Sequence, residues 1–301
     1  MAGLLSWLLS ALVGVVHVHH EPSHDSDAPF ESVLAAAFAA NLDFLVLTDH
    51  APAESQGTLP AAEHAGIHTA PDGRRLLVLV GVEVGTPAGH LLALDVPEIP
   101  RASEPSARGS IAAIHALGGF AVVPHPFSHG GWSDWDAPFD GIEIHNNASE
   151  LRRLGIWTPL VVLLSAWDAD RAWRRMLTRP DRALAKWDAL LETRRVVGFS
   201  GADAHQNVSI LGWQLDPYER MFSAVQTVCP QTALEERAVW DALRHGRCFI
   251  RYSIHAGAAD AAQVVELPSG RREHRSPDGR HVLEIHQPPA LQDVDARKGP
   301  Q

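Results

Sequence analysis

Short apolar runs alternate with amphipathic stretches along most of the chain, and each run stops on a histidine or an acid. "LVGVVHVHH" stops at His17, His19 and His20, "LDFLVLTDH" at Asp49 and His50, and "RLLVLVGVE" at Glu83. "FAVVPHP" then ends with His125, "GIEIHNN" with His145, and "RVVGFSGADAH" with Asp203 and His205. Runs this short and this apolar read as strands buried on both faces. Between them "PFESVLAAAFAANL", "SARGSIAAIHALGG" and "PDRALAKWDALLETRR" read as helices. The last carries an apolar stripe at Leu184, Trp187, Leu190 and Leu191, and Gly118-Gly119 is a natural stop for the second. Buried strands alternating with helices imply a parallel sheet. Polar residues at the carboxyl ends of such strands converge on one face of a barrel, where active sites are built.

That convergence gives meaning to the histidine-rich stretch "GVVHVHHEPSHDS". On a regular strand, side-chain alternation places His17 and His19 on one face. Taken alone the pair is more often a polar strand face. With Glu83, His125, Asp203 and His205 at other strand ends, it reads as part of a metal site. Mixed imidazole and carboxylate donors suit zinc, iron or manganese. The candidates outnumber the ligands of one tetrahedral ion, so two or three divalent ions are expected. No G-x-S-x-G occurs and neither cysteine lies near a motif, which leaves no protein nucleophile. The expected attacking group is therefore a metal-bound hydroxide.

The series "HVHH…SHDS", "TDH", "GVE", "PHP" and "GADAH" resembles the polymerase-and-histidinol-phosphatase (PHP) superfamily of metal-dependent hydrolases, over about residues 14 to 205. A narrower resemblance, to the carbaryl-hydrolase-like (CehA/McbA) branch, rests on "LAKWDALLETRRVVGFSGADAH", "PYERMFSAVQTV" and "ALRHGRCFI" and extends to about residue 250. The resemblance implies an α/β fold, a distorted (β/α)7 barrel spanning residues 1–250, with residues 251–301 as a short β-hairpin-like extension that then frays. It implies a trinuclear site: His17, His19, Glu83 and Asp203 on one metal, His125 with Glu83 as a bridge on a second, and Asp25, His50 and His205 on a third. His145 is included as a further ligand, although the family tolerates other residues there. Asp49 is expected to orient a ligand histidine from behind. His20 and His24 are bystanders in this reading. The family often carries an aspartate where this chain has Val15, so an orienting hydrogen bond to an imidazole is expected to be missing. The implied activity is phosphoester hydrolysis, with ester, carbamate or amide hydrolysis by the same metals as the alternative and a non-catalytic scaffold as a third. Amidohydrolase barrels also open with H-x-H, but they close on a single aspartate rather than on Asp203-x-His205.

Composition narrows the partners. The 301 residues are 46% hydrophobic and 20% charged, with a net charge of -11 and only Lys186 and Lys298 as lysines. That excludes a broad basic grip on nucleic acid except as a nucleotide-type substrate, and favours a small molecule. Arg152, Arg153 and Arg220 are the nearest candidates for holding a phosphate. The loop "HGGWSDWDAPF" after His125 either walls a pocket with aromatic rings or packs into the core. Cys229 and Cys248 form no close pair in sequence, so no disulfide is expected and a reducing compartment is acceptable. The apolar start "MAGLLSWLLSALVGVV" lacks a basic first segment and is too short to span a bilayer. It reads as a buried lead-in to a cytoplasmic protein, with export as the alternative. His64, His68, His90 and His115 match no motif and are taken as structural. His274, His281 and His286 in the polar tail are expected to carry no chemistry.

Overall fold

The computed structural model describes residues 11–51, 57–128, 130–153, 171–210, 213–255, 262–278 and 281–289. The apolar start up to residue 10, Trp157 and Trp167, and the frayed end from residue 290 lie outside the described residues. The fold is mixed α/β, built on one large branched sheet. Its strands are β1 (Leu12–Val18), β2 (Phe44–Leu47), β3 (Gly66–Thr69), β4 (Arg75–Val80), β5 (Val82–Thr86), β6 (Gly89–Leu94), β7 (Phe120–Val123), β8 (Gly141–Asn146) and β9 (Val197–Ala204). A small β10/β11 hairpin (Ser209–Ile210 and Trp213–Gln214) stands apart, and β12 (Gln226–Cys229), β13 (Phe249–Arg251), β14 (Gln263–Glu266), β15 (Arg272–Arg275) and β16 (Val282–His286) complete the sheet.

Helices form where the apolar stripes predict them: α1 (Phe30–Ala39), α2 (Ala107–Ala116) and α4 (Asp181–Leu191). Ser106 caps α2 by accepting from the Gly109 N–H, and Gly118 after it takes a left-handed φ of 83° that a side chain would disfavour. Further helices include α3 (Asn147–Arg152), α5 (Tyr218–Ala224) and α6 (Glu236–Arg244).

The sheet departs from the all-parallel expectation. β1 pairs in parallel with β2 and β9, β2 with β4, and β8 with both β7 and β9. The β3/β4, β5/β6 and β6/β7 pairs are antiparallel, as is the whole run from β1 through β12, β13, β16 and β15 to β14. The reason is local: β5 and β6 are joined by a turn at Thr86–Gly89 too short for a crossover helix. A closed barrel is not formed by these pairings, and the expected tail hairpin is a three-stranded continuation of the main sheet.

Two apolar cores flank the sheet. One packs Val15, Val18, Leu45, Leu47, Val78 and Ile142 against Val33, Ala36, Ile111, Leu184 and Trp187 of α1, α2 and α4. The other gathers Val16, Phe44, Val46, Leu79, Leu92, Val122 and Phe199 around Val239, Trp240 and Leu243 of α6. Trp240 and its neighbours thus pack against a different set of strand side chains from α1, α2 and α4.

One sequence reading is overturned here. Cys229 and Cys248 form a disulfide. The nineteen-residue separation hid it. Antiparallel pairing of β12 with β13 sets Val228 opposite Phe249, and the next step along the same ladder brings the two cysteines face to face.

Candidate metal centre

The site is made by a break in regularity at the end of β1. Val16 and Val18 of β1 face Val46 and Leu47 of β2, so His17 is an extra residue, a bulge with φ of 69°. The bulge reverses the parity of the strand: Val15 and Val18 both enter the helical core, whereas Val16 enters the other. His17 and His19, on either side of Val18, meet with their rings 5.0 Å apart. His125 and Asp203 also have positive φ, 29° and 49°. Non-glycine residues held there cost free energy that surrounding contacts must offset, a frequent signature of functional positions.

Glu83 is the hub. It follows Gly81 at the junction of β4 and β5 and bridges in parallel to His50, which continues the β2 ladder. Its Oε2 lies 2.9 Å from His17 Nε2, 3.2 Å from His19 Nε2 and 3.6 Å from His50 Nε2. Its Oε1 lies 2.9 Å from His90 Nδ1 and 3.0 Å from His125 Nε2. Five imidazoles thus surround one carboxylate that is 1% exposed. Burial opposes charge on Glu83, yet His17, His125 and His19 hold its pKa well below the usual carboxylate range.

Asp203, at the end of β9, closes the other side. Its Oδ1 is 3.5 Å from His17 Nε2, 3.8 Å from His19 Nε2 and 3.6 Å from His205 Nδ1. Asp25 Oδ2 lies 3.0 Å from His205 Nε2 and 3.5 Å from His50 Nε2, and burial of Asp25 is outweighed by those two imidazoles, which hold it well below its ordinary value. Burial likewise opposes charge on His17, but Glu143, Glu83 and Asp203 raise it well above the ordinary imidazole value. His19 is pushed by burial down to about 4.

The imidazoles are braced from behind. His17 Nδ1 meets Glu143 Oε1 at 2.6 Å, His205 Nδ1 meets the Asp203 carbonyl at 2.8 Å, and the Nδ1 atoms of His19 and His125 face the hydroxyls of Ser23 and Ser128 at 3.3 Å. With Nδ1 so held, each Nε2 is directed inward, the arrangement that tunes metal-binding histidines.

Glu143 also resolves the question at Val15. Val15 is core, and the orienting carboxylate comes from β8 instead, where Glu143 also accepts from His125 N–H and Asn146 Nδ2, each at 2.8 Å. Gly201 on β9 makes room for it: a Cβ there would stand 1.9 Å from Glu143 Oε1.

The donors form three overlapping groups, each able to hold an ion: His19, Asp25, His50 and His205; His17, His19 and Glu83; and Glu83, His90 and His125. His19 and Glu83 each belong to two of them. His19 Nε2 and Asp203 Oδ2 are buried without a hydrogen-bond partner. Buried lone pairs left open are costly unless something binds them. The donor set and these two atoms fit divalent cations.

Three sequence expectations are redistributed. His145 is not with the others: its Nε2 meets Asn147 Oδ1 at 2.9 Å, its Nδ1 faces Tyr252 at 3.3 Å, and burial pushes its pKa to about 4. The bulge between Glu143 and His145 turns the glutamate inward and the histidine aside. Asp49 braces His20 rather than a ligand, accepting its backbone N–H at 2.7 Å and facing its Nδ1 at 2.8 Å. His90, read as structural, reaches Glu83 because the β5/β6 hairpin sets it opposite Gly85. The signal that could have found it was the short turn after "GVEVG".

A cavity of about 690 Å3 opens beside His125 and Glu143. Phe127, Arg152, Arg153, Arg179 and Arg182 are among its lining. Arg152 Nη1 comes 3.6 Å from Asp203 Oδ2, and Arg182 lies 4.3 Å above the Phe127 ring. Arg153 is engaged by Glu150 at 2.8 Å. Of the tryptophan loop, Trp132 is core and Trp135 stacks behind Phe127, with ring centroids 5.5 Å apart, so the wall is Phe127.

No protein-family model matches the chain, and no curated protein matches it. Among solved structures, a two-domain protein of Bacteroides vulgatus containing a predicted PHP-like metal-dependent phosphoesterase is similar at 15% identity and a TM-score of 0.47, over 89% of this chain and 76% of that one. A protein of Bifidobacterium adolescentis assigned as a metal-dependent phosphoesterase is similar at 14% identity and a TM-score of 0.37, over 68% of this chain and 89% of that one.

Proposed function

We propose that the chain is a metal-dependent phosphoesterase of the PHP type. The single observation that carries this reading is the sharing of His19 and Glu83 among three adjoining donor groups, which suits two or three divalent ions of zinc, manganese or iron character. His17, His19, Glu83 and Asp203 would hold one, Glu83, His90 and His125 a second, and Asp25, His50 and His205 a third. Such ions supply Lewis acidity to a substrate oxygen and make a water nucleophilic near neutral pH. The chain's own part is to hold the donors rigidly, keep bulk water from their buried side, and place the substrate. Arg152 and Phe127 both line the cavity, where the guanidinium would neutralise a non-bridging phosphate oxygen and the ring would wall the leaving group.

The finer fold reading belongs here too. β4 runs into β5 through Gly81, so that the two count as one bent strand, and ladders lead from its β5 half through β6, β7, β8, β9, β1 and β2 to its β4 half; this order, though not closed by a β4/β5 pairing, supports a distorted seven-stranded barrel. The carbaryl-hydrolase-like branch remains a matter of sequence resemblance, and carbonyl hydrolysis is its corresponding alternative. The disulfide supports an oxidising compartment, and with it export over the cytoplasm. Among the described residues no helix is long and apolar enough to cross a membrane.

The test is metal analysis together with turnover of p-nitrophenyl phosphate, bis-p-nitrophenyl phosphate and an aryl ester or carbamate. At least two ions per chain and hydrolysis of a phosphate substrate are expected. Fewer than two ions after reconstitution would sink the multinuclear reading, and turnover of only the carbonyl substrates would replace phosphorus with carbon as the reacting centre.

A further inference from the structure

A second group of metal-type donors lies three and four strands from β1 along the sheet, on β16 and β15. Cross-strand register sets His274 directly opposite Glu284, and Arg272 opposite His286. Because strand side chains alternate, His274, Glu284 and His286 share one face, while Glu273 and Ile285 point to the other and are fully buried. Glu284 Oε2 lies 3.2 Å from His274 Nδ1 and 2.8 Å from His286 Nε2. The three donor atoms fall within 4.8 Å of one another.

We propose that His274, Glu284 and His286 form a separate binding site for a single divalent transition-metal ion on the outer face of the C-terminal sheet. Two imidazoles and one carboxylate make a three-ligand set that leaves further positions for water, a donor combination suited to zinc, copper or nickel. The site is pre-organised by its neighbours. Phe249 on β13 stacks on the His286 ring, centroids 4.4 Å apart and planes at 17°, which fixes the ring's orientation. Arg251, opposite Glu284 in the β13/β16 ladder, engages Oε1 at 3.4 Å and leaves Oε2 for the ion. Arg251 and Arg272 weaken the Coulombic attraction for any cation. Affinity therefore rests on coordinate bonds to nitrogen, which selects transition metals over magnesium or calcium. An ion there would tie β15 to β16 at the point where the C-terminal strands join the rest of the sheet, a structural role independent of the centre at Glu83.

The decisive measurement is zinc stoichiometry of the full chain by competition with a chromophoric chelator, comparing the parent with the His274→Ala/His286→Ala double variant. One fewer zinc per chain is expected, with phosphatase turnover unchanged and with the zinc-induced rise in melting temperature reduced. Equal stoichiometry in the two proteins would overturn the site. Should the double variant fail to fold, Glu284→Gln, which keeps the shape of the side chain, is expected to weaken the same equivalent at least tenfold, and an unchanged titration would overturn it equally. The outcome is separable from the phosphoesterase reading, because a chain with no ions at Glu83 would still lose one equivalent on removing His274 and His286.

Discussion

Two regions of this protein bury several charges together, and they solve the problem in opposite ways. Around Glu273 the carboxylates are matched by guanidiniums. Arg179 reaches Glu273 with Nε at 3.0 Å and Nη2 at 2.7 Å, Arg275 adds a contact at 2.8 Å, and the fully buried Arg271 bridges Glu273 to Asp188. Around Glu83 the acids are matched by imidazoles, and among the described residues Arg152 alone brings a guanidinium to ion-pair distance, at 3.6 Å from Asp203. The first cluster is complete in itself. The second keeps open lone pairs at His19 and Asp203. Permanent cations make a brace, whereas donors that can lose their protons make a place for a metal ion.

The comparison breaks most visibly at Asp203. Asp203→Asn keeps the shape but removes the charge, and should lower phosphatase turnover by more than the roughly hundredfold typical of losing an orienting partner. His17→Ala should do the same, with the far-ultraviolet spectrum unchanged in both. Retained turnover in either variant places the reaction elsewhere.

The matched cluster should respond in stability instead. Glu273→Gln leaves the buried Arg271 with Asp188 as its one remaining carboxylate and is expected to cost about 3 kcal/mol, read from denaturant midpoints. Its pH dependence has a definite sign. Burial would raise the Glu273 pKa, but Arg179 and Arg271 bring it from 4.5 to about 2. A depressed carboxylate stabilises the fold above its unfolded value and loses that contribution as pH falls through the folded one. The deficit of the variant should therefore be full at pH 7 and shrink between pH 4.5 and 2. A deficit independent of pH would show that the charge is not what is lost.

A finer cut separates ligands from their supports. Glu143→Gln, or Gly201→Ala acting by collision with Glu143, should weaken metal affinity by about 10-fold to 100-fold while leaving the ions able to bind at higher concentration. Affinity unchanged in both would reduce Glu143 to packing. The smallest effect is expected at Arg152, 56% exposed, where Arg152→Ala should raise KM for phosphate substrates by about tenfold and leave an aryl ester unaffected. Equal changes for both substrates would remove its role in reading charge.

Much of the site was legible because chemistry follows the strand ends. Six apolar runs were enough to place His17, His19, His50, Glu83, His125, Asp203 and His205 at the ends of strands, and the chain does bring them together. His145 and Glu143 were not separable by pattern, since a bulge inside "GIEIHNN" decides which of them reaches His17. His90 was hidden in a hairpin whose sequence carries no ligand motif, and the cysteine pair in a ladder whose register no spacing rule supplies.

What the sequence by itself determined is most of the donors and the helical and extended segments that carry them, because hydrophobic periodicity and side-chain chemistry are local properties. What only the tertiary structure decided is parity and partnership: the extra residue at His17, the carboxylate of Glu143 in place of one at Val15, the bond between Cys229 and Cys248, and the joint face of His274, Glu284 and His286. Each of these depends on the register between distant strands. A shift of one residue turns every side chain to the opposite face, so register must be settled by the packing of the whole sheet.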